Sequence, residues 1–168
     1  MALTGKALFS LAATLTKEFD MRNGNDPFSY VNSYSFADDT GGDYFANSSF
    51  ADTRTLTQSA SETLDLTDLL KDAFGDFVDF EKLKILMIEN TSLTDYLIVG
   101  GAASSAMPLF DDTSDKAIVK PGGMMILIAP DAAGYDMTIG DQLKLQHGGT
   151  TSATLTYNIA LIGMSSSS

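Results

Sequence analysis

Thr150–Met164, TTSATLTYNIALIGM, decides the fold. Its apolar side chains fall on every second residue: Ala153, Leu155, Tyr157, Ile159 and Leu161. Between them stand Thr154, Thr156, Asn158 and Ala160. A strand turns successive side chains to opposite faces, whereas a helix returns to one face every third or fourth residue. A period of two therefore predicts a pleated strand with one buried face. Outward from it, His147-Gly148-Gly149 reads as the turn into that strand, and Gln142–Gln146 as a strand with Leu143 and Leu145 inward.

The pattern continues upstream. Leu83–Ile88 is apolar on both faces, which predicts a central strand. Phe77–Phe80 leads into it. Tyr96–Val99, Ala117–Val119 and Met124–Ala129 read as further strands, with Pro121-Gly122-Gly123 as a hairpin-type turn before the last. Thr55–Leu66 reads as two short strands or one bent strand. Thr67–Phe74 reads as one helical turn capped by Thr67 and ended by Gly75. Near the N-terminus Ala7, Phe9, Leu11, Ala13, Leu15, Phe19 and Met21 occupy odd positions, opposite Lys6, Ser10, Thr14, Thr16, Glu18 and Asp20. Leu8, Leu11, Leu15 and Phe19 also fit a helical stripe, but the alternation favours a long strand. Asn23-Gly24-Asn25-Asp26-Pro27 is the turn signal that follows. The predicted fold is all-β: a single-domain β-sandwich or jelly roll with an N-terminal extended arm or strand. Residues 1–50 form the arm region with its aromatic-rich loop, 51–164 the sandwich core and 165–168 a serine tail, expected to be disordered in isolation.

Composition narrows the chemistry. The chain has 168 residues, 44% of them hydrophobic, and a net charge of -12 from 22 acidic and 10 basic residues. That surface repels phosphate backbones and anionic lipid heads, so neither nucleic acid nor membrane is an expected partner. The densest basic spot is Lys82 with Lys84, read as one solvated strand face. With no cysteine, disulfides, thiolate metal sites and cysteine nucleophiles are excluded together. The longest apolar run, Met124–Pro130, has seven residues, against about 20 for a membrane span. Lys6 followed by Ala7–Leu15 has a faint signal-peptide character, interrupted by Ser10 and Thr14; no signal peptide is expected.

Reactive constellations are sparse. The single histidine, His147, is expected at the surface beside its turn. Serines and aspartates abound, so composition permits a Ser–His–Asp triad, but no G-x-S-x-G elbow is present. Asp38/Asp39, Asp111/Asp112, Asp76 and Asp79 are carboxylates of the type that hydrolyse glycosides, each at an expected loop or strand end. Asp38, Asp39 and Asp43 around Gly41-Gly42, or Asp20, Asn23, Asn25 and Asp26, offer oxygens to a structural cation without the spacing of a calcium loop. No enzymatic activity, cofactor or metal site is expected. Phe28, Tyr30, Tyr34, Phe36, Tyr44, Phe45 and Phe50 supply more aromatic area than the short strands around them need. They are the candidate subunit or capsid contacts, since aromatics concentrate at interface centres; the rival expectation is that they fill the chain's own core.

Several segments in their order carry a family likeness: Asp52-Thr53-Arg54-Thr55-Leu56, Asp72-Ala73-Phe74-Gly75, Leu83-Lys84-Ile85-Leu86-Met87-Ile88 and Leu97-Ile98-Val99-Gly100-Gly101-Ala102-Ala103-Ser104. Pro121-Gly122-Gly123, Ala129-Pro130-Asp131-Ala132-Ala133-Gly134-Tyr135 and Tyr157-Asn158-Ile159-Ala160-Leu161-Ile162-Gly163 continue it. In this order the chain resembles small virion structural proteins of tailed bacteriophages, from about Ala51 to Gly163, with a weaker echo in Ala7–Ala13. It departs from that pattern at Ala106-Met107, where a large aromatic often stands. The resemblance implies a non-enzymatic β-module of the phage particle, assembled in the host cytoplasm. Such a module would decorate or cement the capsid as a symmetric oligomer, a trimer favoured, against the major capsid protein or another virion protein. The alternative is a receptor- or carbohydrate-binding module on a tail or head fibre, with Asp43, Tyr44 and Phe45 as its exposed loop.

Overall fold

The computed structural model describes residues 2–38, 41–107, 109 and 112–165, and these contain thirteen strands and no helix. In chain order, β1 (Thr4–Phe19) and β2 (Arg22–Ala37) precede β3 (Ser48–Thr57) and β4 (Ser61–Asp65). Then come β5 (Leu70–Lys71), β6 (Phe77–Val78), β7 (Phe80–Asn90), β8 (Leu97–Gly100) and β9 (Lys116–Val119). β10 (Met124–Ile128), β11 (Tyr135–Asp136), β12 (Gln142–His147) and β13 (Thr154–Ser165) complete the chain.

Two antiparallel sheets share one core. The first has the order β10-β7-β13-β3, with β11 added to β7; the second has the order β4-β12-β8-β9. Along β13 burial alternates residue by residue, placing Leu155, Tyr157, Ile159 and Leu161 inside. Leu86 and Ile88 of β7 join them, and Leu64, Leu97, Val99, Leu143 and Leu145 arrive from the facing sheet. The all-β, sandwich-like body follows from that period: each fully buried Leu or Ile contributes roughly 1.5–3 kcal/mol, and a strand in any other register would forfeit its whole set. A polar bridge also joins the sheets. The buried Tyr157 hydroxyl donates to Glu62 Oε1 at 2.8 Å, and Arg54 Nη1 reaches Glu62 Oε2 at 2.5 Å. Burial, with Glu62 as its acceptor, raises the Tyr157 pKa well above the usual phenol value.

Four local expectations are corrected. The N-terminal chain reverses at Asp20-Met21, and Asn23–Pro27 lies inside β2. A reversal at Gly24-Asn25 would leave residues 4–11 without partners, because β2 ends at Ala37. Pro27 is tolerated because each strand of a two-stranded ribbon has a free edge. Thr67–Phe74 contains no helical turn: Asp72 Oδ1 accepts the backbone N–H groups of Phe74 and Asp76, closing a tight turn between β5 and β6. Pro121-Gly122-Gly123 is a corner and not a hairpin, since β9 pairs with β8 while β10 pairs with β7 in the other sheet. Lys84 is buried, because the register slips beside Gly163 and leaves it the extra residue of a bulge. Its ammonium donates to the Asp131 carbonyl, and burial lowers its pKa. Of the serine tail, Ser165 closes β13 and 166–168 lie outside the described residues.

Candidate functional site

β1 and β2 pair over sixteen rungs, from Thr4↔Ala37 to Phe19↔Arg22, and make no rung with any other strand among the described residues. Because side chains alternate, the register sorts this ribbon into two faces. One face carries Ala7, Phe9, Leu11, Ala13 and Leu15 opposite Tyr34, Asn32, Tyr30, Phe28 and Asp26. The other is mainly Ser, Thr and Asn, with Leu8 and Val31 as its large apolar side chains and Lys6 and Glu18 as its charges. The apolar face is open to solvent: Leu11 is 50%, Leu15 73%, Phe28 55% and Tyr30 48% exposed. Phe9 and Tyr30 stack at a tilt, 6.1 Å between ring centres, and Asn32 Nδ2 donates to the Tyr34 hydroxyl at 2.8 Å.

Only the root of the ribbon is held. Phe36 and Ala46 are fully buried with Ile85, and Ala7, Tyr34, Ile128 and Ile162 pack around them on the outer side of the first sheet. Gly5 makes this approach possible, since a Cβ there would stand 3.2 Å from the Ile162 side chain. Backbone bonds latch the root: Asp38 N–H donates to the Leu3 carbonyl, Ala46 N–H to Ala37, and Tyr44 N–H to Pro130. Asn47 and Ser165 exchange side-chain to backbone bonds in both directions.

Beyond the root the ribbon leaves the sheet and a groove of about 570 Å³ opens between them. Ala7, Phe9, Tyr30 and Tyr34 line it from the ribbon; Met124, Ile126 and Ile128 line it from β10. Those three sit outward in register with Glu89, Met87 and Ile85, while Met125 and Leu127 point into the main core. Among the described residues no charged side chain lines the groove.

The seven aromatics separate into four environments. Phe28 and Tyr30 lie on the open ribbon face, and Tyr34 and Phe45 are half-buried near its root. Phe36 and Phe50 are buried in the minor and main cores, where the chain itself uses them. Tyr44, 44% exposed, stacks against Phe36 at 5.9 Å. Ala106 and Met107 are both buried.

His147 is not a surface residue. It is 2% exposed, and its Nε2 lies 3.1 Å from Asp95 Oδ2, also buried. The same carboxylate accepts the Ser152 hydroxyl at 2.5 Å and the backbone N–H groups of Ser152 and Thr151. Hydrogen bonds from Ser152 lead the causes that hold the Asp95 pKa far below the usual carboxylate range. Aspartate stands between serine and histidine here, so Ser152 has no imidazole to take its proton, as a hydrolytic triad requires. The network instead closes the 147–152 loop over β8. Gly148 and Gly149 are the residues that fit: a Cβ would stand 2.2 Å from Tyr96 Cε2 at Gly148 and 2.0 Å from Asp95 Oδ1 at Gly149. Sequence reasoning missed Asp95, and the glycine pair was its signal.

A second cavity, about 420 Å³, lies beside the β5–β6 turn and is bordered by Asp38, Asp72, Asp76, Phe74 and Phe77. Asp72 is committed to its turn, Asp112 caps Ser114, and Asp43 Oδ1 accepts the Ala132 N–H. Asp39 and Asp111 lie outside the described residues. Among the described residues no three acidic or histidine side chains converge as a metal site. No family model matches the chain, and comparison with curated proteins gives no match.

Proposed function

We propose that the chain is a non-enzymatic structural protein of a tailed-phage particle, a module that decorates or cements the capsid as a symmetric oligomer. The observation that carries this is the ribbon: sixteen rungs of paired backbone whose apolar face, beyond the root, lies open to solvent. An isolated two-stranded ribbon is marginal in water, and contiguous exposed apolar surface marks an interaction site. The resemblance of its segment order to phage virion proteins supplies the setting, and the acidic body would complement a basic partner surface. Asp95, held far below the usual carboxylate range, uses its hydrogen bonds to close a loop.

Quantitative peptide counting on purified particles that encode the chain tests the proposal. Hundreds of copies per particle are expected; absence from the particle refutes it. A handful of copies favours the second reading, a binding module on a fibre, for which the exposed Phe74 and Phe77 beside Asp72 and Asp76 speak. Glycan-array binding lost on Phe74→Ala would establish that alternative.

A further inference from the structure

The groove and the stretch of ribbon next to it are both uncharged and present apolar side chains, and among the described residues neither is covered by the chain that carries it. We propose that they are complementary: the uncharged stretch of the ribbon of a second copy, led by Leu11 and Phe28 with Leu15 at its end, seats in the groove of the first. This rests on the structural role proposed above and names the partner of its ribbon.

Charge selects the occupant. The ribbon Thr4–Ala37 holds three basic and three acidic residues, so the whole net charge of -12 belongs to the rest of the chain. The eight rungs from Ala7↔Tyr34 to Thr14↔Pro27 carry no charged side chain at all. A basic lattice protein suits the acidic body but gains nothing from this neutral strip. A second ribbon matches it in chemistry and length. At about 3.4 Å per residue, the stretch from Leu11 to Phe19 reaches roughly 27 Å beyond the groove. That reach exceeds the Debye length of about 8 Å, so two acidic bodies joined through their ribbons need not approach each other.

Area agrees. A two-stranded face about 27 Å long and about 10 Å wide presents roughly 270 Å², so one ribbon-in-groove contact buries about 540 Å² in total, too little by itself for a specific interface. A twofold pair makes the contact twice, about 1,100 Å² in total, which reaches the lower bound of a specific interface.

The absence of cysteine makes a direct test available. Full-length Leu15→Cys is mixed with full-length Ile126→Cys under mild oxidation, and Leu69→Cys replaces Ile126→Cys as control, Leu69 being 69% exposed outside ribbon and groove. The mixed Leu15/Ile126 disulfide is expected to form at least tenfold faster than the Leu15/Leu69 one. Sedimentation of the unmodified chain is expected to give a multiple of 17.9 kDa, and Leu15→Asp or Ile126→Asp to return it to the monomer while Leu69→Asp does not. Equal cross-linking rates, or a monomer at ~100 µM, above the micromolar range typical of the weakest specific complexes, overturn the second copy. Particle copy number is read separately, so a monomer that still saturates particles sinks this inference alone, and an oligomer missing from particles sinks only the virion role.

Discussion

Leu161→Ala and Leu15→Ala remove the same atoms from opposite ends of the burial range. Leu161 is fully buried on β13, opposite Phe50 on one side and Leu86 on the other. Leu15 is 73% exposed on the ribbon. A buried Leu→Ala change loses the transfer free energy of its methyl groups and leaves a cavity, about 2.7–5 kcal/mol together. With about 2.1 cal/mol/K of unfolding entropy per residue, each kcal/mol lowers Tm by about 3 °C in a chain of this length, so Leu161→Ala is expected to lose about 8–14 °C. Leu15→Ala gives up little burial and is expected to stay within about 0.5 kcal/mol. The assay is urea unfolding followed by circular dichroism, at concentrations low enough to hold the chain dissociated, with unchanged slopes as the check that the midpoint reports stability. A Leu15→Ala loss as large as that of Leu161→Ala would refute the division into a cohesive body and an unsupported ribbon.

The Asp95 network has a pH signature. Its folded pKa is depressed, so its stabilisation is fully present above the unfolded value near pH 4 and fades as pH falls below it. Asp95→Asn should therefore be clearly less stable than the parent at pH 7, with the gap in urea midpoints narrowing at pH 3; a gap independent of pH would contradict an ionised Asp95. Gly149→Ala, whose Cβ would overlap Asp95 Oδ1, should cost about 1–3 kcal/mol by overpacking. Gly41→Ala meets no neighbour but sits at a φ of 91°, and should cost about 1 kcal/mol from backbone strain alone. Thermal melts of the two distinguish crowding from strain, and equal tolerance at both would count against the packed loop.

Strands with one dry face were legible because a period of two survives any tertiary context. β12 and β13 sit where their alternation put them, and β7 where its two apolar faces put it. Sheet membership was not legible, since nothing local tells β9 that its partner is β8 and not β10. At Asn23–Pro27 local turn preference lost to a longer ladder, and at Thr67–Phe74 one aspartate side chain outbid a helical turn. The aromatics were legible as a group but not singly. Phe28 and Phe36 occupy the same face of β2, and only distance from the root makes one exposed and the other buried. Asp95 carried no pattern of its own, because the donors that surround it come from residues 147–152, more than fifty positions away.

Hydrogen exchange along β1 and β2, followed as the full-length protein is diluted, reads most directly whether the ribbon is a surface that another molecule must cover. Amides on the eight uncharged rungs should exchange slowly in concentrated protein and quickly in the dilute monomer, while β7 and β13 stay protected throughout. Slow ribbon exchange in the monomer, or fast exchange at every concentration, would show that the ribbon needs no partner or finds none in its own copies.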